Sequence, residues 1–342
     1  MEPTPTAAPD GRQSIAIAII TCRRPDLLAK LLASLQSQEL EPATAAAYDV
    51  RVVIVDNDAA GSAAEVIAEA SKDARYPIES AVEAEPGIPF ARERSVQLAW
   101  NDDALIFVDD DEEAPPGWLQ ALLACWQQTK ADVVTGPIKG ILPEGAPAWN
   151  YHSDVHNSVG KHQTGDELDK AYTNNTLVVQ KVYHQVTPGF DPAFRFTGSS
   201  DLHFFLRVHQ AGFRIVWCEE AVITEQVPAS RTTLAWLRRR AFRSGSGDTI
   251  SRLLIGSPPG SYLRVVAFAS ARLASSVVYL LGGLVLARKP WLLKGFRRFF
   301  SGIGSLAGIV GINHDEYRTV HGTVGGDGVP GRVDGGDPTR PA

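Results

Sequence analysis

The chain has 342 residues, 44% of them hydrophobic and 21% charged, which is enough apolar material for one large α/β domain with an appendage. Its formal net charge of −6 argues against a nucleic-acid binder, because neutralising phosphates needs a net basic footprint. Cys22, Cys125 and Cys218 lie far apart and form no CxxC pair, so neither a zinc site nor a disulfide framework is indicated and a reducing cytoplasm fits.

The opening MEPTPTAAPDGRQ lacks the charged-then-apolar pattern of a signal peptide and reads as a disordered tail over residues 1–13. Ser14–Ile20 is a short apolar strand, and Pro25 then opens a stretch whose leucines recur at helical spacing. Arg51–Val55 gives a second buried strand that ends at Asp56, with a helix after it. A poorer strand at Ile78–Val82, a helix from Gly87 to Trp100, a strand at Ala104–Val108 and a helix from Pro116 to Gln128 continue the alternation. This order predicts a mostly parallel central sheet flanked by helices, with ligands beyond the carboxyl ends of the strands, where Asp56 and Asp109 fall. Pro137 to about Tyr172 reads as an irregular loop over that edge. Asp201–Gly212 reads as an amphipathic helix closed by glycine, and the stretch after about Thr323 as a disordered tail.

The most informative segment is ALIFVDDDEE, Ala104–Glu113. A buried strand delivers Asp109, Asp110 and Asp111 together, and adjacent carboxylates repel one another unless a cation compensates them. Mn²⁺ or Mg²⁺ is commonly held by one or two carboxylates plus substrate phosphates, so few protein ligands are needed if a diphosphate supplies the rest. A solvated acidic turn is the bland alternative. EF-hand spacing is absent, and no GxGxxG or GxxxxGK[ST] follows a strand, which argues against dehydrogenase and P-loop chemistry.

With these blocks in order, the sequence resembles the family 2 glycosyltransferases, in pattern the bacterial exopolysaccharide sugar transferases. IAIITCRRPDLLAKLLASL, VVIVDND, EPGIPFARERSV, IFVDDDEEAPPGWL, TNNTLVV and GFDPAFRFTGSSDLHFFLRVHQAGFRI carry the resemblance, over about Ile15 to Gly245. It implies a GT-A fold over residues 14–248 and metal-dependent, inverting hexosyl transfer from a nucleotide-diphosphate sugar to a hydroxyl on a lipid-linked or saccharide acceptor. By the same resemblance Thr21 and Arg24 border the nucleotide, Asp56 meets the base, and Arg92 contacts the donor. Asp109 and Asp110 lie at the ribose or diphosphate, and Asp111, with Asp109, binds the metal. Glu93 stands where relatives carry Asn, and Ser200-Asp201 where they carry Glu-Asp. Asp201 inherits the role of base, and Ser199 or Ser200 is expected to cap its helix, whose dipole keeps the carboxylate ionised. A catalytically inactive nucleotide-sugar-binding scaffold is the alternative that these two departures keep open, and a nucleotidyltransferase lacks its Gly-rich phosphate loop.

From Arg231 to Phe300, Asp248 is the single acid among thirteen Lys and Arg, which suggests anionic lipid or phosphate partners. Arg240-x-x-Arg243 resembles the family's (Q/R)xxRW motif without its tryptophan, since Ser244 follows. Val265–Ala287 is long enough to span a bilayer, but Arg272 and the Gly282-Gly283 pair weaken that reading. RKPWLLKGFRRFF mixes aromatic rings with cations, as interfacial helices do. Residues 249–315 are therefore expected to be helical and to attach, peripherally or integrally, to the cytoplasmic face of the plasma membrane, with 316–342 as the tail. His152, His156, His203, Glu225 and Cys22 are left without a role.

Overall fold

The computed structural model describes residues 11–153, 155–256 and 261–313. The expected tails fall mostly outside these residues, as does the side chain of His152.

In chain order the elements begin β1 (Gln13–Thr21), α1 (Pro25–Gln36), α2 (Pro42–Ala47), β2 (Tyr48–Asp56), α3 (Ala64–Ala70), β3 (Ile78–Val82), α4 (Ile88–Leu98) and β4 (Ala104–Asp109). They continue with β5 (Glu112–Glu113), α5 (Trp118–Thr129), β6 (Val133–Thr135), β7 (Ile138–Ile141), β8 (Glu167–Leu168), β9 (Thr176–Val179) and α6 (Gln180–Gln185). The last are α7 (Ser200–Gln210), β10 (Ile215–Trp217), β11 (Ile223–Gln226), α8 (Leu234–Leu254), α9 (Ser261–Val285) and α10 (Lys289–Ile309).

The first half folds as its periodicity predicts. β1 buries Ile15 through Ile19 on both faces, and Pro25 starts α1, whose Leu28, Leu31, Leu32 and Leu35 form a buried stripe at helical spacing. The main sheet runs β3-β2-β1-β4-β9-β6-β10-β8. β3, β2, β1 and β4 pair in parallel, β9 enters antiparallel between β4 and β6, and β10 returns parallel to β6. Helices cover the sheet, and the core lies between them. Register aligns the strand ends: Thr21 pairs with Asp56, and Ile20 with Asp109.

Two expectations need correction. The segment from Pro137 to Tyr172 is not wholly irregular, because β7 joins β5 and β11 in a second, three-stranded sheet and β8 extends the first. Its strands are short, with partners far along the chain, so no local period announces them. The boundary drawn at residue 248 also falls inside α8, which runs unbroken through Gly245-Ser246-Gly247. These glycines suggest a break in sequence but serve close approach. A Cβ on Gly245 would lie 2.0 Å from the Ser301 carbonyl oxygen of α10, and one on Gly304 would lie 2.0 Å from that of Phe242 in α8.

α10 packs against both α8 and α9. The buried residues of α9 are Ala269, Ser276 and Gly283, one every seventh position; Ala269 and Ser276 face Gly302 and Gly295 of α10, and Gly283 faces Leu292. Arg272 is turned into this seam, where it donates to Ser301 Oγ at 3.1 Å and Ser305 Oγ at 3.0 Å and lies 4.4 Å from the Phe268 ring centre. The opposite side of α9 exposes Leu263, Val266, Val278, Leu281, Leu284 and Val285. Among the described residues it is the one helix long and apolar enough to cross a membrane by length and composition.

If the glycine contacts set the spacing of α8 and α10, Gly304→Ala should destabilise the protein by about 1–3 kcal/mol, through overpacking against backbone that cannot move aside. Thermal unfolding of the detergent-solubilised protein reads this, and an unchanged midpoint would contradict the packing.

Candidate active site

The carboxyl ends of β1, β2 and β4 converge on the acidic turn. Asp110 is the buried member, 1% exposed: its carboxylate accepts from Thr21 Oγ1 at 2.7 Å and lies 2.6 Å from Arg24 Nη2. Arg24 reaches Asp111 as well, at 3.3 Å. Burial pushes the Asp110 carboxyl up to about 7, with Arg24 opposing the shift. Thr21, Arg24 and Asp110, expected separately from the sequence, thus form one buried cluster that shapes the turn.

Asp109 has 37% of its side chain open to solvent, and Arg92 Nη2 lies 3.9 Å from its Oδ1. Burial of its surroundings pushes its carboxyl up to about 6. Arg92 opposes that shift, whereas the charges of Asp111 and Asp201 add to it. Arg92, 3.9 Å from Asp109, also donates to Ser200 Oγ at 3.0 Å and so sets the neighbouring Asp201 beside the acidic turn, although nearly a hundred residues separate them in sequence. Asp201 sits in the first turn of α7, and its Oδ1 accepts the Leu202 N–H at 2.8 Å. The capping expectation is not met. Ser199 holds the cap position with φ of 71°, its side chain caps no N–H, and Ser200 Oγ instead accepts from Arg92 Nη1 at 3.0 Å. Leu202, Phe205 and Leu206 are buried, as an amphipathic helix requires.

Asp56 is turned to its own loop. Its Oδ2 accepts from the Ala63 N–H at 2.7 Å and its Oδ1 from the Asp58 N–H at 3.1 Å, so both oxygens shape the strand-to-helix turn after β2.

Glu225, named from the sequence but left without a role, joins Glu112 and Arg231 around the turn. Glu112, 2% exposed, accepts the Asp109 N–H at 2.9 Å and so fixes the bend of the turn; burial, then the Asp109 charge, holds its carboxyl well above the ordinary value. Pairing of β5 with β11 sets Glu225 opposite Glu112, where burial and Asp111 push its carboxyl up to about 7. Arg231 Nη1 bridges Glu225 at 2.7 Å and Asp111 at 3.7 Å. The only sequence signal for these residues was acid and base placed at the ends of weak strands.

His203 is 4% exposed and packs on Phe194, with burial lowering its basicity. His156 stacks on Trp236 at 5.0 Å between ring centres, and burial with Arg240 and Arg231 holds it down to about 4. Arg240 therefore lies beside the site, whereas Arg243 is buried at 6%. Cys22 Sγ lies 3.4 Å from the Asn57 carbonyl.

Among the described residues, no three His, Cys, Asp or Glu side chains are arranged to hold a metal by themselves. The donors are nonetheless hard carboxylates, Asp109, Asp111 and Glu225, whose repulsion the guanidinium groups of Arg24, Arg92 and Arg231 partly offset. Such a set fits Mg²⁺ or Mn²⁺ arriving with phosphate oxygens, and does not fit an all-protein cage.

Residues 16–186 match glycosyl transferase family 2. The succinoglycan biosynthesis protein ExoM of Rhizobium meliloti (strain 1021) is 33% identical over 246 residues, 72% of this chain and 77% of the relative. The mannosyltransferase PcManGT from Pyrobaculum calidifontis, solved with GDP-Man and Mn²⁺, superposes with a TM-score of 0.57 at 16% identity, over 87% of each chain. S. aureus TarS 1-349 gives 0.51 at 14% identity, over 88% of this chain and 92% of that one. At such identities the structures speak for the fold, which is GT-A. The match across half the chain, together with the ExoM relative, makes this protein a glycosyltransferase that belongs to glycosyl transferase family 2.

Proposed function

We propose that this glycosyltransferase is a metal-dependent, inverting enzyme that transfers a sugar from a nucleotide-diphosphate sugar to a hydroxyl of a lipid-linked or saccharide acceptor. The observation that carries the reading is geometric: Arg92 lies 3.9 Å from Asp109 and donates to Ser200 Oγ at 3.0 Å, which brings the first turn of α7, with Asp201, against the acidic turn. A base on one side and phosphate-side carboxylates on the other leave the sugar between them. The GDP-Man and Mn²⁺ held by PcManGT, a protein of the same fold, support a nucleotide-sugar donor and a divalent cation. The role of ExoM in succinoglycan biosynthesis supports an exopolysaccharide acceptor.

In this reading Asp111, with Asp109, would hold the cation, and Glu225 stands beside them. When bound, the ion would offset charge developing on the departing diphosphate. Arg24 and Arg231 must turn from Asp111 as phosphate arrives, and both can then face the diphosphate. Thr21, Arg24 and Asp110 shape the nucleotide side, Asp56 holds the adjoining loop, and Arg92 contacts the donor. Asp201 accepts the proton of the acceptor hydroxyl as its oxygen bonds to the anomeric carbon. The bond from that carbon to the diphosphate oxygen breaks on the opposite face, so configuration inverts with no covalent enzyme intermediate.

We also place the enzyme on the cytoplasmic face of the plasma membrane through residues 261–309. Arg272 is satisfied inside the helical unit, so it is no obstacle to an apolar outer face on α9, and Arg264, Arg288 and Lys289 flank that face as anionic headgroups require.

Two experiments test these readings. In a hydrolysis panel of nucleotide sugars with and without Mn²⁺, Asp111→Ala should lose metal-dependent donor binding. Asp201→Asn should bind donor normally yet turn over at least about 100-fold more slowly. Equal donor binding by wild type and Asp111→Ala in Mn²⁺ would overturn the ligand assignment. For attachment, the full-length protein should fractionate with membranes, and Leu281→Arg with Val285→Arg should release folded protein to the soluble fraction. A wild-type protein soluble without detergent would end the membrane reading.

A further inference from the structure

Two of the positions at which the chain departs from the family pattern, Glu93 and Ser200, lie at opposite ends of one contact between α4 and α7. Two bridges make that contact. In the first, Arg92 Nη1 donates to Ser200 Oγ at 3.0 Å, with Arg92 8% and Ser200 0% exposed. In the second, Glu93 Oε2 accepts the Phe190 N–H at 3.3 Å, while Arg207 of α7 donates to the Gly189 carbonyl at 3.0 Å. A Cβ at position 189 would lie 2.2 Å from Glu93 Oε2, so glycine there is what admits the carboxylate. The Phe190 ring in turn lies 5.7 Å from the Arg92 guanidinium and backs it.

The chemistry of position 200 decides what Arg92 can do. A carboxylate there would pair with the guanidinium and take up its charge. A serine hydroxyl accepts one N–H and orients the group but leaves the charge uncancelled. That charge acts on Asp109, 3.9 Å away. Ser200 also begins α7 and directly precedes Asp201, so one hydrogen bond ties the guanidinium on the donor side to the helix that carries the carboxylate on the acceptor side.

We propose that Ser200 is a positioning residue: through Arg92 it fixes the separation of the donor side from the Asp201 helix, and by being neutral it keeps Arg92 available to an anionic donor. This rests on the reading of Arg92 as a donor contact and Asp201 as the base. Misplacing reacting groups by about 1 Å can cost about 100-fold in rate, so a single buried hydrogen bond is enough to matter.

The test uses full-length, detergent-solubilised protein and whichever of UDP-glucose, UDP-N-acetylglucosamine, GDP-mannose and dTDP-glucose the wild type hydrolyses with Mn²⁺. Ser200→Ala should lower kcat by about 10- to 100-fold with donor KM within about twofold, because orientation is lost and charge is not. Ser200→Glu should instead raise donor KM about 10-fold or more, because the new carboxylate competes with the donor for Arg92. Wild-type kcat in Ser200→Ala, or wild-type donor KM in an active Ser200→Glu, would overturn the proposal. Urea unfolding of Arg92→Gln, Ser200→Ala and the double variant reads the link without substrate. The double variant should be no less stable than the worse single one, and fully additive losses would overturn the link even if no donor is turned over. Asp201→Asn in the same assay keeps the questions apart, since full activity there removes the base assignment and leaves the donor-affinity arm of Ser200 standing.

Discussion

Repulsion among carboxylates at the end of β4 is the constraint around which this molecule is organised. Three consecutive aspartates are placed where a parallel sheet ends, and two of them, with Glu112 and Glu225 nearby, have carboxyls driven up by burial and by one another. The fold answers with guanidinium groups from three directions: Arg24 after β1, Arg92 on α4, and Arg231 ahead of α8. Each holds a different set of carboxylates. A cation and a diphosphate introduced together would answer the carboxylates and the arginines at once, and their opposite charges would leave the net charge of the site unchanged.

Much of this was legible in the sequence, for physical reasons. β1, β2 and β4 are long apolar runs, buried on both faces, and parallel register then brings Thr21, Asp56 and Asp109 to one edge whatever the loops do. The acidic turn was visible because its charges are contiguous. Glu225 was visible only as an acid at a strand end, since its place depends on the pairing of β11 with β5, a two-residue strand more than a hundred positions earlier. Arg272 could not be oriented for a related reason. A charge within an apolar helix counts against burial in lipid only if it points outward, and which way it points depends on the serines of a helix not yet paired. Ser200 read as a cap by residue type, yet its hydroxyl is taken by an arginine from α4.

The small second sheet and α8 deserve to be considered together, since both connect the catalytic end to the appendage. β11 carries Glu225, the next turn carries Arg231, and Thr233 caps α8 by accepting the Trp236 N–H at 3.1 Å. A Cβ on Gly247 would lie 2.2 Å from Ser199 Oγ, so the same helix that meets α10 through Gly245 also abuts the start of α7. Helix α7 is thus braced from α4 on one flank and from α8 on the other.

One result of an unbroken α8 is mechanical. A helix of this extent is a rod about 30 Å long with no joint in it. Its stretch from Phe242 to Thr249 meets α10, and within that stretch Gly247 abuts the start of α7, so α10 cannot tilt without carrying α7 with it. The helix therefore acts as a protractor: the angle at which the C-terminal helices lie is passed on to the helix that borders the acidic turn.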